Sequence, residues 1–179
     1  MEIVIATLLI VAAALLRLLP HAPNFAPIAA LALFGGVVLP RRWSLVIPFG
    51  AMILSDAVIG FYELPVMMSV YACFILTTVL GWWIKKQQQK GSIVVGISIF
   101  SSFVFFVVTN FAVWAWGHIY PHTAAGLLTS YAMGVPFFRN TLMSDLFYSG
   151  LLFGLYAVVT VTVRHFHWFR DRRIRRAPR

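Results

Sequence analysis

The sequence predicts an all-α integral membrane protein of six transmembrane helices, with both termini in the cytoplasm. Three observations predict it: an excess of apolar side chains, six separate apolar runs, and basic residues confined almost wholly to one set of connections. Apolar residues make up 61% of the chain and charged residues 11%, against roughly 45–50% and 25% in soluble domains. So little polar surface cannot cover a water-facing exterior. A bilayer removes that requirement, because lipid solvates the apolar face.

The apolar runs fall at 2–19, 25–40, 44–61, 65–84, 92–116 and 139–163. A helical span needs roughly 20 residues, within a range near 17–25. Backbone in the hydrocarbon core must be hydrogen-bonded internally, so each run is expected to be helical. The start Met1-Glu2-Ile3 lacks the positive n-region of a cleavable signal, which makes the first run a retained span. Pro20, Pro23 and Pro27 then forbid continuous helix and set a stiff turn that holds His21 and Asn24 over a cavity mouth. The run at 25–40 is short and rich in small residues, so it is expected to be tilted, broken or only partly inserted. The longest connection, 117–138, is apolar (Leu127, Leu128, Tyr131, Met133, Val135) and reads as a loop packed back on the bundle as a lid or plug. The chain divides into a six-helix substrate-binding domain at 1–163 and a basic cytoplasmic tail at 164–179.

Orientation follows from charge. The connections alternate between two sides, and twelve of the fourteen Lys and Arg residues fall on the side that holds the N-terminus, 41–43, 85–91 and the tail. Only Arg17 and Arg139 fall on the other. The positive-inside rule places the basic side in the cytoplasm. The net charge of +9 is therefore explained by topology, and no soluble basic face with aromatic platforms suggests nucleic acid. The stretch from Arg164 to Arg170 sets aromatic residues between two arginines, as expected of an interfacial anchor on anionic membrane lipid. A single cysteine, Cys73, excludes an internal disulfide or a multi-cysteine metal cluster.

The polar residues that remain crowd the outer half. Asp56 lies inside the third span and Asp145 inside the last, where a carboxylate costs roughly 2.5–3.5 kcal/mol and must face protein or water. Asp145 and Tyr148 share a helical face, and Arg139 stands one and a half turns before Asp145. These groups are either a polar network that ties helices together or contacts to a ligand. Trp114, Trp116 and Tyr120 fit an interfacial aromatic belt equally well. Cys73 sits roughly 12 Å along its helix from Pro65. A lone cysteine there is ordinarily a small hydrophobe, yet beside Tyr71 its soft thiolate suits a metal centre carried by a ligand.

Three stretches resemble a known family: the run from Pro23 to Gly36, Tyr120-Pro121-His122-Thr123, and the run from Pro136 to Leu142. They are similar to the substrate-binding S-components of energy-coupling-factor (ECF) vitamin transporters, most closely the cobalamin-specific BtuM-like branch of Gram-negative bacteria. That resemblance implies a vitamin cavity open to the periplasm in the bacterial inner membrane, with cobalamin or a related corrinoid as transported ligand and no intrinsic cofactor. It implies that Cys73 ligates the corrin cobalt and, as a nucleophilic ligand, displaces cyanide from cyanocobalamin. His21, Asn24, Asp56, Tyr71, Arg139 and Asp145 are then the further candidate contacts. The first span departs from the family pattern. Ala6, Ala12, Ala13 and Ala14 are followed four residues later by Ile10, Leu16, Arg17 and Leu18, so the small-xxx-small docking face is missing there, although Ala26 and Ala30 supply that spacing in the second. Docking on an ECF energising module is thereby weakened in favour of a transporter that acts alone. No phosphate-binding loop occurs, so ATP is not hydrolysed by this chain. The alternatives are an S-component for another small vitamin, a membrane enzyme using the outer His and Asp residues, and a ligand-free structural subunit.

Overall fold

A computed structural model describes residues 2–87 and 91–175, without the side chains of 164 and 166–175. The described residues form helices and no strand: α1 (Glu2–Leu16), α2 (Ile28–Val38), α3 (Arg41–Ser44), α4 (Val46–Ile59), α5 (Leu64–Lys86), α6 (Gly91–Trp116) and α7 (Ala124–Arg175). Each of the six apolar runs becomes a helix. Four helical stretches are long and apolar enough to cross a membrane, namely Arg41–Ile59, Leu64–Lys86, Gly91–Trp116 and Ala124–Val163. The protein is accordingly a helical membrane protein. The helices of the first two runs are shorter, at 15 and 11 residues.

The short α2 is the centre of the bundle and touches every other helix. Every residue from Ala29 to Val37 is buried, so its shortness reflects enclosure by protein. Glycines allow the close approach. A Cβ on Gly36 would stand 2.3 Å from the Thr78 carbonyl oxygen of α5, and one on Gly81 would stand 2.9 Å from the Gly36 Cα. A side chain at either position would drive the two helices apart.

A helix enclosed by protein must still satisfy the four orphan groups at each end. Here neighbouring helices supply the partners. At the N-terminus of α2, the Asp145 carboxyl of α7 accepts backbone bonds from Ala29 and Ala30. Ser144 donates to the Ala26 carbonyl at 2.8 Å. At the other end, the Lys85 ammonium of α5 donates to the carbonyls of Leu39 at 2.9 Å and Val38 at 3.4 Å. Acid at the N-terminal end and base at the C-terminal end complement the helix dipole.

α6 and α7 are joined by an antiparallel polar zip. Ser98 pairs with Ser149 at 3.1 Å, and one turn on Ser102 donates to Asp145 at 2.7 Å. Advancing four residues on one helix and retreating four on the other keeps both pairs in register. Interhelical bonds in a membrane contribute about 0.6 kcal/mol each, up to about 1.7. The outward faces carry Val95, Ile99, Phe100 and Phe103, all exposed, as lipid requires.

One expectation is overturned. The segment 117–138 is not a loop: helix α7 starts at Ala124 and runs unbroken through Pro136. Thr123 caps it, its hydroxyl accepting the Gly126 N–H at 3.1 Å. Gly126, Leu127, Ser130, Tyr131 and Gly134 turn inward, at helical spacing. Ser130 and Tyr131 donate to the Asn110 and Val107 carbonyls of α6 at 2.9 and 3.0 Å. The segment does pack back on the bundle, but as a helix along the C-terminal end of α6. Pro136 lacks an N–H and in isolation would end a helix. Inside α7 its ring costs one bond, and the flanking tertiary contacts hold the helix through it.

Helical backbone continues past 163 to Arg175. The interfacial-anchor reading of the tail concerns side chains outside the described residues, as does the topological charge of Lys90.

Candidate functional site

The basic groups Arg41, Lys85 and Lys86 lie together at one end of the bundle, and a cavity of about 340 Å³ opens at the other. Its walls include Arg17 after α1, Asn24 in the proline turn, Tyr62 between α4 and α5, Val66 and Val70 of α5, and Thr109 and Asn110 of α6. Ile28, Met52, Phe105, Val113 and Phe137 supply the apolar remainder. An apolar cleft with a few convergent polar groups is the usual form of a small-ligand site.

A polar network behind one wall holds Arg17 in place. Its guanidinium donates to the Asp56 carboxylate at 2.7 Å and also to the Ser55 hydroxyl. The second Asp56 oxygen accepts from Tyr71 at 2.8 Å. Asp56 thus ties the end of α1 to α4 and α5, and both of its oxygens are used. The Arg17 and Asp56 side chains are only 10% and 3% exposed. The buried Nε of Arg17 has no partner.

The opposite wall is ordered by backbone bonds. Asn24 adopts φ 59°, a left-handed conformation that asparagine tolerates better than most residues. The turn it sits in is clamped by Asn140, which donates to the Pro23 carbonyl at 2.9 Å. Asn110 donates to Phe106 at 2.8 Å and lies against Gly134 of α7. At the rim, the phenol of Tyr62 is pushed up to about 12 by burial and, second, by the charge of Asp56.

The sequence candidates separate into three groups. Asn24 lines the cavity. Asp56 and Tyr71 stand behind Arg17, acting on the cavity through it. Asp145 lines a small adjoining space of about 30 Å³ with Asn24, Ala29 and Thr141, where its oxygens also serve α2 and Ser102. His21 is exposed and faces its own chain at the Ala22 carbonyl, 2.9 Å away. Arg139 is exposed and outside the cavity walls, and Asp145 bonds α2 and Ser102 instead. Cys73 is 5% exposed. It continues the Val66–Val70 stripe of α5 by about one more turn, roughly 4.5 Å further along the helix, and is not among the cavity walls.

Arg17, Tyr62, Thr109 and Asn110 were not among those candidates. Arg17 carried a usable signal, being one of two basic residues on the less basic side of a chain with two intramembrane carboxylates. Among the described residues, no group of three or more His, Cys, Asp or Glu side chains is placed to hold a metal ion.

A family profile matches residues 1–167, nearly the whole bundle. The chain belongs to DUF6580, a family of unknown function. No curated protein and no solved structure matches it. The DUF6580 cavity must therefore be interpreted from its own chemistry.

Proposed function

We propose that this protein binds a vitamin-sized organic solute at the outer face of the bacterial inner membrane and serves its uptake. The observation that carries the reading is the 340 Å³ cavity opposite the basic end, apolar in its walls and set with Arg17, Asn24, Tyr62, Thr109 and Asn110. With the basic end in the cytoplasm, that cavity faces outward and both termini face inward, as in a multi-pass S-component. Arg17 is neutralised by Asp56, so the site suits a ligand with hydrogen-bonding groups and little net charge. Its size falls at the lower end of the roughly 300–1,000 Å³ range for ligand pockets.

Cobalamin is the more specific form of this reading. It draws on the resemblance to BtuM-like S-components and on the place of Cys73, the next residue inward on the stripe that lines the cavity. A corrinoid is larger than the cavity as it stands, so its entry requires the floor at Met52 and Val70 to open toward the thiol. An energising module is then a partner to be tested. The chain is expected to act alone, because α1 lacks a small-residue docking face.

The test is to purify the protein from cells grown with cobalamin and record visible spectra beside Cys73→Ala. A co-purifying corrinoid whose spectrum changes in the variant supports ligation of cobalt by the thiol. A colourless protein that also ignores added cobalamin refutes the corrinoid and leaves a smaller vitamin. Val66→Trp, which fills the cavity, should abolish binding of whichever solute is found. Undiminished binding in that variant would remove the cavity from the mechanism.

A further inference from the structure

The basic end holds a second concavity, of about 440 Å³, where the α2–α3 connection meets the last turns of α5. Leu39, Arg41, Val79, Trp82, Trp83, Lys85 and Lys86 line it. Three of these seven are cations and none is acidic, so an anionic group is attracted from any approach. The arrangement is built in advance of a ligand. Trp82 is fixed by a bond from its indole N–H to the Ser44 hydroxyl at 2.8 Å, and the Arg41 guanidinium lies 4.5 Å over its ring. Lys85 is held by the carbonyls that end α2.

The other lining residues distinguish a lipid from a free anion. Val79 is one turn deeper into the span than Trp82 and Trp83, and it is 40% exposed on the lipid-facing side of α5. Leu76 continues that exposed strip inward. The groove therefore opens at its cationic rim to the headgroup region and along Val79 to hydrocarbon. A soluble phosphate would use only the rim. A two-part ligand, anionic at the head and apolar below, uses all of it.

We propose that this groove binds an anionic phospholipid, its phosphate held among Arg41, Lys85 and Lys86 and the start of one acyl chain laid along Val79 and Trp83. The site is independent of the outer cavity and of its solute.

The experiment is native mass spectrometry of the full chain in detergent, with phosphatidylglycerol, chain-matched phosphatidylcholine and inorganic phosphate added in separate arms. Phosphatidylglycerol should be retained selectively, and inorganic phosphate at equal concentration should not displace it. Arg41→Gln with Lys86→Gln leaves Lys85 to cap α2. It should weaken phosphatidylglycerol about 25-fold, at roughly fivefold per juxtamembrane cation. Neutralising cytoplasmic cations can disturb insertion, so Val79→Phe provides a second variant, which fills the apolar limb with every charge retained. It should also weaken phosphatidylglycerol retention. Equal retention of both lipids overturns the proposal, and so does undiminished binding in either variant. Displacement by inorganic phosphate would assign the rim to a free anion and overturn the lipid.

Discussion

Replacing Asp56 with leucine strands the Arg17 guanidinium and leaves the Tyr71 hydroxyl without its acceptor. Removing one member of a buried ion pair costs about 3–5 kcal/mol. Arg17 is only 10% exposed, but it borders the outer cavity, where water softens the loss toward the lower figure. The Tyr71 bond adds about 1 kcal/mol, so Asp56→Leu should destabilise by about 3–4 kcal/mol. Adding Arg17→Met removes the stranded charge, and the double variant should return to within about 1.5 kcal/mol of the parent, as buried pairs exchanged for apolar isosteres do. Reversible unfolding in mixed micelles with a denaturing detergent, followed by tryptophan fluorescence, measures all three variants. A loss below about 1 kcal/mol in Asp56→Leu, or a double variant no better than the sum of its singles, would refute the view that this pair binds α1 to α4 and α5.

Three further outcomes follow from the packing. Gly36→Ala forces a Cβ to 2.3 Å from the Thr78 carbonyl and should cost at least about 1–3 kcal/mol. Gly96→Ala, where a Cβ meets nothing within 4 Å, should be neutral or gain about 0.5–1 kcal/mol by the same unfolding assay. Asp145→Leu removes the acceptor for the N-terminus of α2 and for Ser102, and should destabilise by about 2–3 kcal/mol; slowed amide exchange at Ala29 and Ala30 should be lost, and its retention would count against the capping role. In an alkaline absorbance titration, Tyr62 should ionise near pH 12. Its folded value is raised above the ordinary 10.0, so its effect on stability is absent below pH 10 and becomes a loss as pH climbs from 10 toward 12. Tyr62→Phe should delete that late transition.

Much of the architecture was legible because a bilayer leaves a plain record in sequence. Runs of apolar residues must be helices, and their number and order were readable from 2–19 through 139–163. The stiffness of the Pro20–Pro27 turn followed from three fixed φ angles. The helix at 124–138 was read as a loop, and it carries through Pro136, a residue that ends helices in isolation, because Ser130, Tyr131 and Gly134 pack against α6. Asp56 and Asp145 were visible as expensive carboxylates. Their partners were not, because the bonds join residues 39 apart for Arg17–Asp56 and 43 apart for Ser102–Asp145, and no local spacing encodes such a pairing.

Sequence alone therefore determined membrane residence and helical class, since each depends on composition and on the length of apolar runs. Tertiary structure decided that α2 is a capped central helix rather than a weak span. It decided too that Arg17 lines the cavity while Cys73 is buried and not among its walls. Those properties depend on which faces meet across the bundle, and that is settled only when glycines, carboxylates and cations from distant segments are packed against one another.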